Sequence, residues 1–224
     1  MIIPLAFCAY GAEHQILVDI RNLLRCELVN DTIKKFQQNA IDLELPQRMD
    51  KFLPENNFLS FLEEYYGIKY FAPCDARNTG LDAGSVNVIT STNTLEHISP
   101  HDIQKILLEC HRLLHNDGLM ILFIDYKDHY SYFDHNISAY NFLQYSDRKW
   151  MLFNPSLHYQ NRLRHKDYIK LIHSTGFEIV EERREDGAIE DVETIKKLFI
   201  DKRFSDYNLF ELSAKSSTLV LRKS

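Results

Sequence analysis

The chain has 224 residues, of which 45% are hydrophobic and 26% are charged, values typical of a soluble globular protein with a sizeable core. Its formal net charge of −6 disfavours binding to nucleic acid or to an anionic membrane. The four cysteines form no C-x-x-C pair, which excludes the common zinc and redox motifs and favours a reducing compartment. No apolar run is long enough to span a membrane, and the apolar opening residues lack the positive charges of a signal peptide. We therefore expect a cytoplasmic protein.

Predicted helices alternate with predicted strands along most of the chain. Apolar spacing and helix-ending residues predict helices over residues 4–10, 21–38, 58–66, 166–174 and 189–198, with a further helix that begins near residue 100 and ends before a turn at 116–118. Apolar and β-branched runs predict strands over residues 14–20, 68–76, 86–89, 119–125, 177–185 and 217–223, and we expect 119–125 to be a central strand buried on both faces. Residues 39–57 are polar and predict a variable excursion. This alternation predicts an α/β fold with a parallel sheet and right-handed crossovers, in a single domain over residues 1–224.

Polar residues follow several of these strands at the point where each strand ends. The strand at 86–89 opens onto residues 91–97, which finish in Glu-His. Because α/β folds bind ligands at the carboxyl ends of parallel strands, we expect a site at this edge. Asp19 ends another strand, where a carboxylate either takes ribose hydroxyls or caps the next segment. Asp75 follows a third strand, where an acidic residue either faces an adenine amino group or forms a turn.

Residues 126–164 have no clear period and are rich in aromatic residues, which predicts a lid or substrate-binding insertion. Aromatic faces beside hydrogen-bonding groups suit a sugar, whose ring has apolar C–H faces and polar edges. The residues that we expect to contact substrate are Asp125, Tyr126, His129, Tyr130 and Arg162, the last through a phosphate or carboxylate. The alternatives are a solvated lid without ligand contacts, an arginine paired with acidic neighbours, and a divalent-metal site formed by Asp128, His129, Asp134 and His135. We assign no metal ligand from the sequence.

Four segments, taken in order, resemble class I S-adenosylmethionine-dependent methyltransferases of the small-molecule type, also called type 11. They are CDARNTGLDAGSVNVITSTNTLEHI at 74–98, ECHRLLHNDGLMILFID at 109–125, RHKDYIKLIHSTGFEIVEE at 164–182, and the last strand. The family pattern has an acidic residue before a loop, a strand that ends in Leu-Glu-His, and a later Gly-Phe strand. In this sequence Asn87 replaces the usual aspartate, Asn-Asp-Gly replaces Pro-Gly-Gly, and no G-x-G loop is present.

The resemblance implies a Rossmann-like methyltransferase fold, with a mostly parallel twisted sheet, helices on both faces and an antiparallel last strand. It implies S-adenosylmethionine as the cofactor, with Asp19 on the ribose, Asp75 and Ala76 on the adenine, and Thr92 and Asn93 at the border of the cofactor. His97 would be the general base that takes the proton of a hydroxyl acceptor, and its alternative is to support the loop through hydrogen bonds. The expected reaction is methylation of a small molecule, with O-methylation of a sugar or glycan precursor preferred.

In the family, a G-x-G loop follows the first strand and lets the backbone approach the methionine end of the cofactor. This sequence lacks the loop, and we expect it to begin in the helix that follows. The strand before the loop would be central and would pair with the strands at 14–20 and 86–89. We prefer a truncated sequence to a naturally shortened relative, because an open central edge is an aggregation liability. Two other function classes stay open: a non-catalytic interaction protein that kept the fold and lost cofactor binding, and an NAD-type Rossmann enzyme.

Overall fold

The structure is a computed structural model, and it describes residues 1–40, 44 and 49–224. These residues group into two compact units, Met1–Thr79 and Gly80–Ser224. Each unit has its own sheet, and we describe each by itself. The predicted single domain stays a prediction, and the excursion predicted at 39–57 lies partly outside the described residues. No helix in the described part of the chain is long and apolar enough to cross a membrane.

The first unit is a two-stranded parallel sheet with three helices. The elements are α1 (Ile2–Ala9), β1 (Gln15–Val18), α2 (Cys26–Gln38), α3 (Phe58–Tyr66) and β2 (Ile68–Phe71). The two strands run in register from Gln15 opposite Ile68 to Val18 opposite Phe71. In α2, the buried residues Cys26, Val29, Ile33 and Phe36 recur at helical spacing and so form one apolar face. That face packs into the unit's core with Leu5, Leu62 and Ile68, which are fully buried.

Gly67 ends α3 in the left-handed conformation, with a φ of 63°, and β2 begins at the next residue. A Cβ at this position would lie 1.8 Å from the carbonyl oxygen of Glu13. Gly84 has nearly the same φ, 66°, but no atom of the described residues lies within 4 Å of the corresponding position. Substitutions at Gly67 and Gly84 therefore distinguish the cost of a left-handed backbone, which both share, from the cost of a steric clash, which only Gly67 has.

We expect Gly84→Ala to lower the free energy of unfolding by about 1 kcal/mol, the usual cost of a left-handed alanine. Gly67→Ala carries the same strain and in addition forces the backbone at Glu13 to move, so we expect a further loss of at least about 2 kcal/mol. Urea denaturation of both variants measures the difference. Equal losses for the two variants would show that the close approach at Gly67 is not tight.

The second unit is a four-stranded mixed sheet with five helices among the described residues. The elements are β3 (Val86–Thr92), α4 (Pro100–Leu113), β4 (Leu114–Asp125), α5 (Asp147–Phe153), α6 (His165–Ser174), β5 (Phe177–Glu185), α7 (Ile189–Lys196), α8 (Leu209–Ser213) and β6 (Ser216–Lys223). The strand order is β3-β4-β6-β5, with β3 parallel to β4 and β6 antiparallel to both of its neighbours. This topology confirms the predicted α/β, Rossmann-like methyltransferase fold and its antiparallel last strand.

The strand predicted between β1 and β3 stays a prediction. β1 and β3 belong to different sheets, and each lies at one end of its strand order. Among the described residues, β1 pairs with β2 and β3 pairs with β4, so neither strand has a partner along its other edge.

β4 begins five residues earlier than the sequence predicts, and the turn expected at 116–118 is wrong. Val86 pairs with Leu114 whereas Val88 pairs with Leu119, so the residues between them form a bulge within the paired strands. Gly118 allows this bulge, because a Cβ there would lie 2.8 Å from the carbonyl oxygen of Asn87. The expected burial of 119–125 on both faces is also wrong, since buried residues alternate along the strand with half-buried or exposed ones.

The predicted lid, residues 126–164, is anchored by its own apolar cluster. This cluster joins lid residues to residues near the C-terminus, and its buried members are Tyr140, Phe142, Leu143, Trp150, Ile195, Phe204 and Leu212. The lid also contains α5 and several short 3-10 helices. The sequence pattern did not predict these elements, and the role of the segment as a lid or substrate-binding insertion stays a prediction.

Candidate functional site

The carboxyl end of β3 opens into a tight turn followed by a short 3-10 helix. Thr92 is the last residue of β3, and Asn93 follows it with a left-handed φ of 49°. The Asn93 amide donates to the carbonyl of Phe123 on β4 at 3.1 Å, which holds the turn against the neighbouring strand. The 3-10 helix then spans Leu95–His97 and presents two adjacent side chains of opposite exposure.

Glu96 points inward and is 1% exposed. Neither carboxylate oxygen has a hydrogen-bond partner among the described residues. Burial, together with the nearby Asp125 carboxylate, raises the pKa of Glu96 to about 7.

His97 points outward and is exposed. Its Nδ1 lies 2.9 Å from the carbonyl oxygen of Tyr159. Because a carbonyl only accepts, Nδ1 carries the hydrogen and the neutral ring keeps its lone pair on Nε2. The ring is therefore fixed in the tautomer that leaves Nε2 able to accept a proton.

His129, from the lid, packs against the His97 ring with the ring centres 4.8 Å apart. Its Nε2 has no hydrogen-bond partner in the described part of the chain and lies 3.7 Å from Oδ2 of Asp125. Burial lowers the pKa of His129, although the Asp125 carboxylate partly counteracts this. The Tyr132 hydroxyl donates to the same Asp125 oxygen. One ligand-type atom from each of Glu96, His97 and His129 lies within 4.8 Å of the others, and we call these three residues the EHH cluster.

Asn161 holds the 3-10 helix that carries Glu96 and His97. Its side-chain amide donates to the carbonyls of Leu95 and Ile98, both at 2.8 Å. Its side-chain oxygen accepts from the Leu163 amide and the Tyr168 hydroxyl, both at 3.1 Å. Its backbone amide also donates to the carbonyl of Glu96 at 2.8 Å. Every donor and acceptor of this buried side chain is thus used, and Asn161 is a positioning residue for the EHH cluster.

We expect Asn161→Ala to lower the free energy of unfolding by about 2–4 kcal/mol, because two buried carbonyls lose their donors. We also expect a lower kcat at unchanged cofactor affinity, since the side chains of Glu96 and His97 lose their fixed positions. Asn136→Ala, at an exposed lid position, is the matched control. A variant that loses stability but keeps full kcat per folded molecule would contradict the positioning role.

Asp19 and Asp75, predicted to bind the cofactor, both lie in the first unit. Asp19 is half-buried and borders an open cavity of about 510 Å³ lined by residues at the start of α1, by residues from 17 to 24 and by Tyr70. Its two oxygens accept from the Arg21 amide at 3.1 Å and the Tyr70 hydroxyl at 3.2 Å. A carboxylate has further lone pairs, so Asp19 fits the ribose role and also performs the capping role that was its alternative.

Asp75 is engaged with Arg77. Its oxygens accept from the Arg77 amide at 2.9 Å and from the guanidinium Nη2 at 2.6 Å, which is the turn geometry of the alternative interpretation. Ala76 is half-buried beside it, while Thr92 and Asn93 in the second unit are exposed. The assignments of these four residues to the cofactor stay predictions, and the sequence contains no G-x-G loop to hold the methionine end.

The predicted substrate residues separate into two groups. His129 belongs to the EHH cluster and Asp125 lies beside it, with Oδ2 3.7 Å from His129 Nε2. The Tyr130 hydroxyl donates to the carbonyl of Phe153. Tyr126 is 2% exposed, and its hydroxyl is taken up by His165 and Ser217.

Arg162 is also in the interior of the second unit. It is 3% exposed, donates to the carbonyls of Phe142 and Tyr145, and pairs with Asp147 at 2.7 Å. The guanidinium of Arg162 therefore makes its hydrogen bonds within the chain. We do not propose Arg162 or Tyr126 as a substrate contact.

The four residues of the alternative metal site (Asp128, His129, Asp134 and His135) do not form a group with metal-ligand spacing among the described residues. Asp128 is fully buried and accepts from the Tyr130 amide and the Asn141 side chain, whereas Asp134 accepts from Asn136. Among the described residues, the EHH cluster is the group with metal-ligand spacing. Sequence reasoning missed Glu96 and Asn161 as parts of the site, because local pattern shows neither an unpaired carboxylate nor an asparagine that bridges distant carbonyls.

Comparison with protein families gives a match over part of the chain. Residues 30–122 match the family model described as a methyltransferase domain. No curated protein matches the chain with significant similarity. The match, together with the fold, confirms the resemblance to class I S-adenosylmethionine-dependent methyltransferases. S-adenosylmethionine is the cofactor of this class.

Many solved structures resemble the chain at low identity. A SAM-dependent methyltransferase from Archaeoglobus fulgidus is 12% identical, with 95% of this chain and 87% of that chain covered and a TM-score of 0.45. The 1,6-didemethyltoxoflavin-N1-methyltransferase of Burkholderia thailandensis is 10% identical, with coverages of 100% and 79% and a TM-score of 0.45. Geranyl diphosphate C-methyltransferase from Streptomyces coelicolor A3(2) is 9% identical, with coverages of 95% and 71% and a TM-score of 0.48. Similarity at this distance indicates nothing about the substrate.

Proposed function

We propose that the chain is an S-adenosylmethionine-dependent methyltransferase that methylates a hydroxyl group of a small molecule, a sugar or glycan precursor. The observation that carries this proposal is the state of His97. Its Nδ1 is tied to the Tyr159 carbonyl at 2.9 Å, which leaves Nε2 as a proton acceptor on an exposed ring just after β3. An oxygen acceptor needs such a group, because the hydroxyl proton must leave as the new C–O bond forms.

The cofactor supplies an electrophilic methyl group on a sulfonium, and the chain supplies the rest. His97 Nε2 takes the acceptor's proton, and the Tyr159 carbonyl stabilises the resulting imidazolium through Nδ1–H. Asn161 fixes the 3-10 helix so that this ring does not have to be ordered during the reaction. In the first unit, Asp19 is the residue that we propose for the ribose hydroxyls.

The aromatic groups beside the EHH cluster support a saccharide acceptor. Tyr132 and Phe133 are 49% and 84% exposed, and Tyr130 is 39% exposed. Exposed aromatic faces pack against the C–H face of a pyranose, while the Asp125 carboxylate and His129 offer hydrogen bonds to its hydroxyls. A free aliphatic amine or a carbon acid needs no such combination of stacking surface and polar edge.

The test is transfer of labelled methyl from S-adenosylmethionine to a panel of nucleotide sugars, free sugars, phenols and amines. We expect label in a saccharide, in an ether linkage that resists mild base and is located by mass spectrometry of the product. Label confined to nitrogen or carbon acceptors would contradict O-methylation. Absence of transfer to any acceptor, combined with absence of S-adenosylhomocysteine binding, would favour the non-catalytic alternative.

A further inference from the structure

We propose that Glu96, His97 and His129 form a binding site for a divalent transition-metal cation, with zinc as the reference ion. The three residues contribute one carboxylate and two imidazoles, and one ligand-type atom of each lies within 4.8 Å of the others. All three belong to the second unit. The proposal does not rest on methyl transfer and goes beyond it.

The spacing is close to that of a loaded site. Zinc binds nitrogen and oxygen ligands at about 2.0–2.2 Å, which places tetrahedral ligand atoms roughly 3.3 Å apart. The atoms of the EHH cluster need to approach by about 1.5 Å at most to reach that spacing, a movement within the reach of side-chain rotation.

The unpartnered carboxylate of Glu96 is the independent observation that points to a ligand. Glu96 is 1% exposed, and both of its oxygens lack a hydrogen-bond partner in the described part of the chain. Buried polar atoms are nearly always paired, because an unpaired one loses its bonds to water and gains none. The His129 Nε2 atom is also buried and also lacks a hydrogen-bond partner among those residues. Two orphaned ligand atoms of complementary type in one cluster are explained together by one bound cation.

The surroundings supply the outer contacts that metal sites use. A metal-binding histidine usually donates its other N–H to a carbonyl or carboxylate, which fixes the ring and its tautomer. His97 does this through Nδ1 to the Tyr159 carbonyl. Asp125 lies 3.7 Å from His129 Nε2 and is itself held by the Tyr132 hydroxyl, so it is placed to become a further ligand or to bind a metal-bound water.

The donor set selects the class of cation. Two imidazoles and one carboxylate suit zinc, iron, cobalt or manganese, whereas magnesium and calcium prefer all-oxygen sites. A nitrogen that coordinates a cation cannot at the same time accept a proton. The cation-bound chain is therefore a state in which the proton-accepting role of His97 is blocked, and free zinc acts as an inhibitor of that role.

Isothermal titration of the full chain with zinc chloride tests the proposal, with magnesium chloride as the comparison ion. We expect one zinc per chain and no saturable magnesium binding. Glu96→Gln and His129→Gln should each raise the zinc Kd at least tenfold. His135→Gln is the matched control, because His135 is an exposed lid histidine outside the cluster and its variant should bind zinc as the unaltered chain does.

Cobalt substitution gives a second readout that needs no variant. Binding by nitrogen and oxygen ligands gives visible ligand-field bands without the intense sulfur-to-cobalt absorption that a cysteine thiolate ligand would produce. Absence of zinc binding, a thiolate spectrum, or equal affinity in the cluster variants and the control would each overturn the site. A failure here leaves the methyl-transfer test unaffected when that assay is run in the presence of a chelator.

Discussion

Arg164→Met is expected to lower the free energy of unfolding by at least about 3 kcal/mol, because three buried carbonyls lose their only charged donor. Arg164 is fully buried, and its guanidinium donates to the carbonyls of Tyr126 at 2.6 Å, Leu212 at 2.8 Å and Ala214 at 2.5 Å. Burial lowers its pKa to about 10, so the group still carries its charge at neutral pH. The rings of Tyr126 and Phe142 flank it at 5.5 and 5.7 Å.

These contacts make Arg164 the connection between the end of β4 and the segment before β6. Urea denaturation followed by far-ultraviolet circular dichroism measures the loss. Arg148→Met is the matched control, because Arg148 is exposed on α5 and should change stability by less than about 0.5 kcal/mol. A loss below about 1 kcal/mol for Arg164→Met would show that the buried hydrogen bonds are replaced by water at little cost.

His97→Ala is expected to lower kcat about 100-fold or more, the usual contribution of a general base. Because His97 is exposed and its side chain makes one hydrogen bond within the described residues, to the Tyr159 carbonyl, the variant should keep its thermal midpoint and its affinity for S-adenosylhomocysteine. His101→Ala, at an exposed position in the first turn of α4, is the control and should retain full kcat.

The pH profile of kcat gives a second readout for the same variant. A general base gives the pH profile of kcat an acidic limb, and the alanine variant should lack that limb. Turnover unchanged in His97→Ala, measured with a chelator present, would exclude His97 as the base and leave positioning of the acceptor as the main source of rate.

Secondary structure was predictable where periodicity and an ending residue agree. The bounds of α3 and β5 match the prediction exactly in residue numbers, 58–66 and 177–185, since Gly67 stops the first and Gly176 precedes the second. The strand predicted at 68–76 ends at Phe71, because Pro73 has no amide hydrogen to continue a ladder. The bulge in β4 could not be predicted, since it depends on how Val86 and Val88 pair with a strand almost thirty residues away.

The lid shows what local pattern cannot give. Trp150 and Phe142 pack with Phe204, and Arg162 lies against Trp150 and Phe204 at 5.3 and 5.5 Å. Phe204 is more than fifty residues from Trp150 and from Phe142 in the sequence. A pattern read over a short stretch of sequence therefore cannot show that these residues are in contact. Composition alone made Arg162 look like a ligand contact, whereas acceptors from the folded chain take its hydrogen bonds.

Part of the candidate site was predictable from the sequence, namely the residues at the end of β3 and just after it. The rule that parallel strands present polar groups at their carboxyl ends led to Thr92, Asn93 and His97. The approach of His129 and the anchoring of His97 by Tyr159 depend on the path of the lid, which places residues 32 and 62 positions away against the same turn. That path follows from side-chain packing rather than from any repeat or motif in the sequence.

Calorimetric titration of the chain with S-adenosylhomocysteine is the most direct test that it is an S-adenosylmethionine-dependent methyltransferase. We expect saturable one-to-one binding that Asp19→Asn weakens at least tenfold, because the ribose role that we propose for Asp19 needs a group that accepts from two hydroxyls, and an amide has one accepting oxygen where a carboxylate has two. Asp31→Asn, an exposed aspartate on α2, should bind as the unaltered chain does. A titration without heat, accompanied by no shift in the thermal midpoint of the folded chain, would contradict the account.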